Sequence, residues 1–130
     1  MTVSLGTTKG RDQSQPPTGP GLMRSTELIE QELATAEAAL KIGNDGKARV
    51  CARRAVALAD EAWLATRSDQ LFRGDALAHL HRIQQDLSMP IPVREAAKRL
   101  CTAVTQKDSA HFSTDPIGDA RIIIAYLTPK

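Results

Sequence analysis

The sequence predicts an all-α protein, an antiparallel bundle of four to five helices, and three observations carry that prediction. Aromatic residues make up 3% of the chain against 42% hydrophobic residues overall, so the core is built from Ala, Leu, Ile and Val, which suits closely packed helices better than stacked sheets. Apolar residues recur at three- and four-residue steps in most of the chain after residue 22. Pro and most Gly fall between these periodic stretches, Gly118 being the exception within the last.

Residues 1–22 lack any hydrophobic period and are rich in Gly, Pro, Ser, Thr and Gln. Such a segment cannot bury enough surface to offset its ordering entropy, and it is expected to be a flexible tail ahead of a single helical domain over 23–130. The first helix is expected to start with Ser25 as its cap, and its stripe is Leu28, Ile29, Leu33, Ala36 and Leu40. Gly43 and Asn44 tolerate the left-handed conformation and end it.

The second helix, Lys47 to Thr66, presents Ala48, Cys51, Ala52, Ala55, Leu58, Ala59, Ala62 and Trp63 on one broad face. Val50, Ala57 and Leu64 form a narrower seam on another side. Two apolar faces call for two sets of neighbours, which places this helix at the centre of the bundle, with Trp63 plugging one end.

After a polar link, Asp75 caps a third helix running to Ser88. Its buried stripe is Ala76, Leu80, Ile83 and Leu87, with His79 flanking the stripe and His81 away from it. Pro90 and Pro92 separate it from a fourth helix, whose stripe is Val93, Ala97, Leu100 and Val104. Asp115 and Pro116 start a fifth, carrying Ile117, Ala120, Ile123, Ile124 and Leu127. The run of three Ile also suits a strand, but no other segment supplies a partner strand.

Lys and Arg outnumber Asp and Glu by 17 to 15, a formal charge of +2, which is too mild to imply nucleic-acid binding from net charge. Any basic site must be local. Cys51 and Cys101 have no metal-ligand spacing and read as small buried hydrophobes in a reducing compartment. His79 and His81 lie on different helix faces, and His111 has no ligand pattern around it, so neither a metal nor a cofactor is expected. No apolar run has the length of a membrane span, and a cytoplasmic location without membrane attachment is expected.

Two groups of residues are candidates for function. Lys47, Arg49, Arg53 and Arg54 place cations in the first half of a helix, against its dipole. They read either as a patch for an anion or RNA, or as members of ion pairs with Glu30, Glu32, Glu37, Asp45, Asp60 and Glu61. The ion-pair reading is the more economical. The turn around Gly43, Gly46 and Lys47 lacks the spacing of a phosphate-binding loop.

The second group emerges from a resemblance. The segment AEAAL at Ala36 to Leu40, the Ala-rich helix Ala48 to Leu64, the His79-Leu80 pair early in the next helix and the link HFSTDPIGDA from His111 to Ala120 resemble the HEPN superfamily (higher eukaryotes and prokaryotes nucleotide-binding domains). The likeness covers Glu27 to Leu127. It implies a small helical bundle, found in the family both as a non-catalytic binding or dimerisation module and as a metal-independent endoribonuclease, sometimes the toxin of a toxin–antitoxin pair. The ribonucleases use an Arg and a His separated by four to six residues. Arg73 and His79, with five residues between them, match that spacing, and Gly74 departs from the polar residue that usually follows the Arg. The second seam of the central helix and the small size of an Ala-rich bundle lead to the expectation of a homodimer, and the resemblance implies RNA, a nucleotide or a cognate protein as ligand. A binding module without catalysis is the first reading, the ribonuclease the second and a protein adaptor with no nucleic-acid role the third.

Overall fold

The computed structural model describes residues 21–67, 72, 74–102 and 113–128, with side chains from Ser25 onward. These residues form five helices and no strand: α1 (Gly21–Lys41), α2 (Asp45–Arg67), α3 (Ala76–Gln85), α4 (Ile91–Cys101) and α5 (Pro116–Leu127). Most of the expected tail lies outside the described residues, as do Arg73, Val104 and His111.

Local chemistry accounts for most of the boundaries. Gly43 adopts φ +79°, and the Asn44 amide donates to the Ala39 carbonyl at 2.8 Å while the Gly43 amide donates to Leu40 at 3.0 Å. This pair of bonds is the Schellman closure of a helix, and it needs a left-handed residue where the Gly stands. Asn44 then begins α2 by accepting the Lys47 amide at 3.1 Å. Asp75 accepts from the Ala78 amide at 2.9 Å and Asp115 from the Gly118 amide at 3.0 Å, so α3 and α5 start at the caps expected of them.

Three ends differ from expectation, and one of them is the end of α4, which stops at Cys101, three residues before Val104. Helix α1 begins at Gly21 and not at Ser25, because Leu22, Met23 and Arg24 favour helix and nothing between Pro20 and Ser25 breaks it. Helix α3 stops at Gln85, and Leu87 is 80% exposed instead of completing the buried stripe. The cause is Asp86, whose Oδ1 accepts from both the amide and the hydroxyl of Ser88 and turns the chain away from the helix.

Helix α2 packs on α1, α3 and α5, while α3 packs on α4 and α4 on α5. Helices α2, α3, α4 and α5 therefore close a ring, and α1 lies against α2 from outside it. The ring interior holds Ala52, Ala55, Val56, Leu80, Ile83, Leu100 and Ile123, all fully buried. Small side chains on the broad face of α2 let three neighbours approach it, whereas the narrower seam is not buried, with Val50 exposed and Ala57 and Leu64 half-buried. On α1 the buried residues are Ile29, Leu33, Ala36 and Ala39, with Leu28 and Leu40 at the edge of the contact.

Arginines close two helix ends from neighbouring elements. Arg53 Nε donates to the Leu100 carbonyl at 2.8 Å near the end of α4, and Arg94 Nε donates to the Gln84 carbonyl at 3.1 Å near the end of α3. A cation at a helix C-terminus satisfies a free carbonyl and complements the dipole.

Candidate functional site

An acidic residue on the inner side of the central helix organises the most unusual part of the molecule. Asp60 on α2 has no solvent exposure, a position where a carboxylate persists only if it is paired and hydrogen-bonded. The Asp75 cap sets the start of α3 so that His79 and Arg82, three residues apart, share one face of that helix. Both reach Asp60. His79 Nδ1 lies 2.7 Å from Asp60 Oδ2, Arg82 Nε donates to the same oxygen at 3.0 Å, and Arg82 Nη2 donates to Oδ1.

The carboxylate acceptor selects the imidazole tautomer with its proton on Nδ1. His79 is itself completely buried, and its Nε2 makes no hydrogen bond among the described residues. Glu61 Oε2 is 3.6 Å from it, too far to accept. Phe72 meets the imidazole edge-on, ring centres 4.8 Å apart. This corrects the placement of His79 on the flank of its helix: the carboxylate of Asp60 offsets the polarity of the ring and allows it into the core.

Arg82 continues the network to Asp86, with Nη1 donating to Oδ2 at 3.1 Å. Burial works against the Arg82 charge, but its hydrogen bonds with Asp60 and Asp86 outweigh that and hold its pKa above the usual guanidinium value. For Asp86, burial pushes the pKa up. The bonds from Ser88 and Arg82 prevail and leave it below the usual carboxylate value.

A second buried carboxylate, Asp119 on α5, has a similar role between other elements. Arg99 on α4 donates to it through Nε at 3.1 Å and Nη2 at 2.7 Å, and the Ser113 hydroxyl donates at 2.5 Å. The Arg99 pKa rises, chiefly through its hydrogen bonds to Asp119.

The cations of early α2 do not form a single patch. Lys47 and Arg54 are exposed on one side of the helix, whereas Arg49 is buried and Arg53 is half-buried on the side of α4 and α5. Burial, with Arg53 nearby, lowers the Arg49 pKa. The anticipated ion pairs are also rearranged. Glu30 and Glu37 face Arg121 of α5, at 4.0 and 3.6 Å, and Asp60 serves α3. Helix α5 reaches α1 where the glutamates stand, and a long Arg121 side chain spans the gap.

Cys51 is buried and Cys101 half-buried, and burial raises both thiol pKa values. Such thiols are poor nucleophiles. Among the described residues no three His, Cys, Asp or Glu side chains are grouped to hold a metal, and no helix is long and apolar enough to cross a membrane.

Of the two members of the Arg and His motif, His79 is held by Asp60, and Arg73 lies outside the described residues. Sequence reasoning named Asp60 only as a counter-ion for the α2 cations and missed its burial and its partners on α3. The signal was present: Asp60 follows Ala52, Ala55, Val56 and Ala59 on the apolar side of a helix, where a carboxylate demands a partner. No protein-family model, curated protein or solved structure matches the chain.

Proposed function

We propose that the protein is a small helical binding module of the HEPN type that works as a homodimer and not as an enzyme. One observation carries this reading: the seam of Val50, Ala57 and Leu64 on α2 is left uncovered, with Val50 42% exposed and the other two half-buried. At 3.6 residues per turn these three, with exposed Arg54 and Glu61, lie in one narrow row along the helix. The row is self-complementary. With Ala57 at a two-fold axis in an antiparallel crossing, Val50 meets Leu64 of a second copy and Arg54 meets its Glu61, the isologous pattern of a symmetric dimer. The small Ala57 lets the axes come close.

The surroundings of His79 favour binding over catalysis. Among the described residues, the shallow depression beside Glu61 is lined by Glu32, Glu61 and Asp75 against one cation, Arg54, and this acidic setting repels a phosphodiester. Light scattering of the full chain is expected to give a dimer, and Ala57→Arg, which sets like charges face to face, a monomer with unchanged helicity. A wild-type monomer at millimolar concentration defeats the proposal.

The ribonuclease reading draws on a different observation. A carboxylate holds His79 Nδ1 and leaves Nε2 without a hydrogen bond, the arrangement of an imidazole oriented for proton transfer. In that reading, displacement of Phe72 opens the site, Arg73 stabilises the phosphorane and His79 moves the proton. Cleavage of a single-stranded RNA by the wild type, lost in His79→Asn, is the result that selects it.

A further inference from the structure

At one end of the bundle the start of α1, the end of α2 and the end of α5 enclose a groove of about 250 Å³. Its floor is apolar, with buried Ile29 and Leu127. The chain contains one Trp and one Tyr, and both line this groove from helices that are far apart in sequence, Trp63 on α2 and Tyr126 on α5. Trp63 is half-buried, packs partly against the core and has Arg82 5.3 Å from its ring centre, while Tyr126 is 42% exposed, so each ring still presents some edge or face at the opening. In a protein that builds its core almost without aromatics, the two largest ring systems stand together at a surface opening.

The charge of the groove is one-sided. Among the described residues, Arg67 is the single ionised residue of its lining, with Thr66 supplying a hydroxyl. The Arg67 guanidinium lies over the Trp63 ring, 4.4 Å from its centre. No carboxylate among the described residues lies within ion-pair distance of Arg67. A guanidinium stacked by its face on an indole keeps its edge N–H groups for a planar carboxylate, which it binds with two parallel hydrogen bonds. Aromatic walls, an apolar floor and one oriented cation define the ligand chemistry.

We propose that this groove is a binding site for a small aromatic carboxylate, its ring against Trp63 and Tyr126 and its carboxylate on Arg67. The groove and the Val50, Ala57 and Leu64 seam lie on opposite sides of α2, since Ala59, Ala62, Trp63 and Thr66 are displaced from that seam by about half a helical turn. The proposal therefore holds for a monomer and for a dimer alike.

Trp63 is the sole indole and reports directly on the site. Its emission, excited where phenyl rings do not absorb, is followed while the full chain is titrated with 3-phenylpropionate, 3-phenylpropionamide and octanoate. The acid is expected to change the emission saturably and to bind about tenfold more tightly than the amide, the worth of a charge-assisted pair. Octanoate should bind more weakly than the aromatic acid. In Arg67→Gln, where an exposed side chain is replaced and the helix content should be unchanged, acid and amide should bind alike. Methyl resonances of Ile29 and Leu127 should shift with the acid. Absence of saturation, equal affinity for acid and amide in the wild type, or methyl shifts confined to other parts of the bundle overturns the site. Octanoate binding as tightly as 3-phenylpropionate overturns the aromatic assignment.

Discussion

Asp60 carries three hydrogen bonds from two side chains of α3 in a place without solvent. Removing its charge leaves Arg82, 19% exposed, without its main counter-ion, and breaking a buried pair in this way costs more than the pair contributes over an apolar substitute. Asp60→Asn is expected to lower the unfolding free energy by about 3 kcal/mol in urea titration. Replacing Arg99, a third of which is exposed to solvent, should cost distinctly less, because buried Asp119 keeps the Ser113 hydroxyl as a donor and water enters the space the guanidinium leaves. A loss for Asp60→Asn no larger than for Arg99→Ala would show that Arg82 does not depend on the charge of Asp60. At this scale sequence reading reached the types of residue but not their partners. Arg82 and Asp60 stand 22 residues apart, and only the packing of α3 on α2 decides that Asp60 meets Arg82 and not Arg53 or Arg54.

Among the helices, the caps of α3 and α5 and the end of α1 were legible residue by residue, because a cap and the amides it serves lie within four positions of each other, whereas Ser25, expected as a cap, lies inside α1. Asp75 and Asp115 act as their types suggest, as does Gly43. The fifth helix adds a constraint that sequence alone does not display. A Cβ on Gly118 would stand 2.2 Å from Asp115 Oδ2, so the glycine makes room for the capping carboxylate. Ala in place of a helical Gly normally stabilises by about 1 kcal/mol. Here Gly118→Ala is expected to give no gain, since it displaces a cap of about the same worth. In the Asp115→Ala background, where no cap remains to be displaced, the same substitution should recover about 1 kcal/mol. Thermal unfolding of the four proteins of this cycle measures the coupling, and strict additivity would mean that the carboxylate moves aside without losing its bond.

For the molecule as a whole, the ring of α2, α3, α4 and α5 decides which apolar residues matter. Leu80 and Leu87 occupy the same stripe in sequence, but Leu80 has no exposure and Leu87 is 80% exposed. Leu80→Ala is expected to cost about 3 kcal/mol through lost burial and the cavity left behind. Leu87→Ala should stay within about 0.5 kcal/mol of the wild type, as surface substitutions do. Chemical denaturation of the two variants tests the ring directly, and a large loss for Leu87 would mean that this residue is covered, for instance by a second chain.

The sequence by itself determined that the described residues are helical, where α3 and α5 begin, where α1 ends, and that the Ala-rich helix touches several neighbours. These properties rest on interactions within a few residues and on the period of apolar side chains, and both are written along the chain. Only the tertiary structure decided which polar groups meet: Asp60 with His79 and Arg82, Asp119 with Arg99, Arg53 with the carbonyl of Leu100. It also brought Trp63 and Tyr126 to one groove. A buried charge takes whichever partner the packing of distant helices sets within about 3 Å of it, and no local pattern encodes that choice.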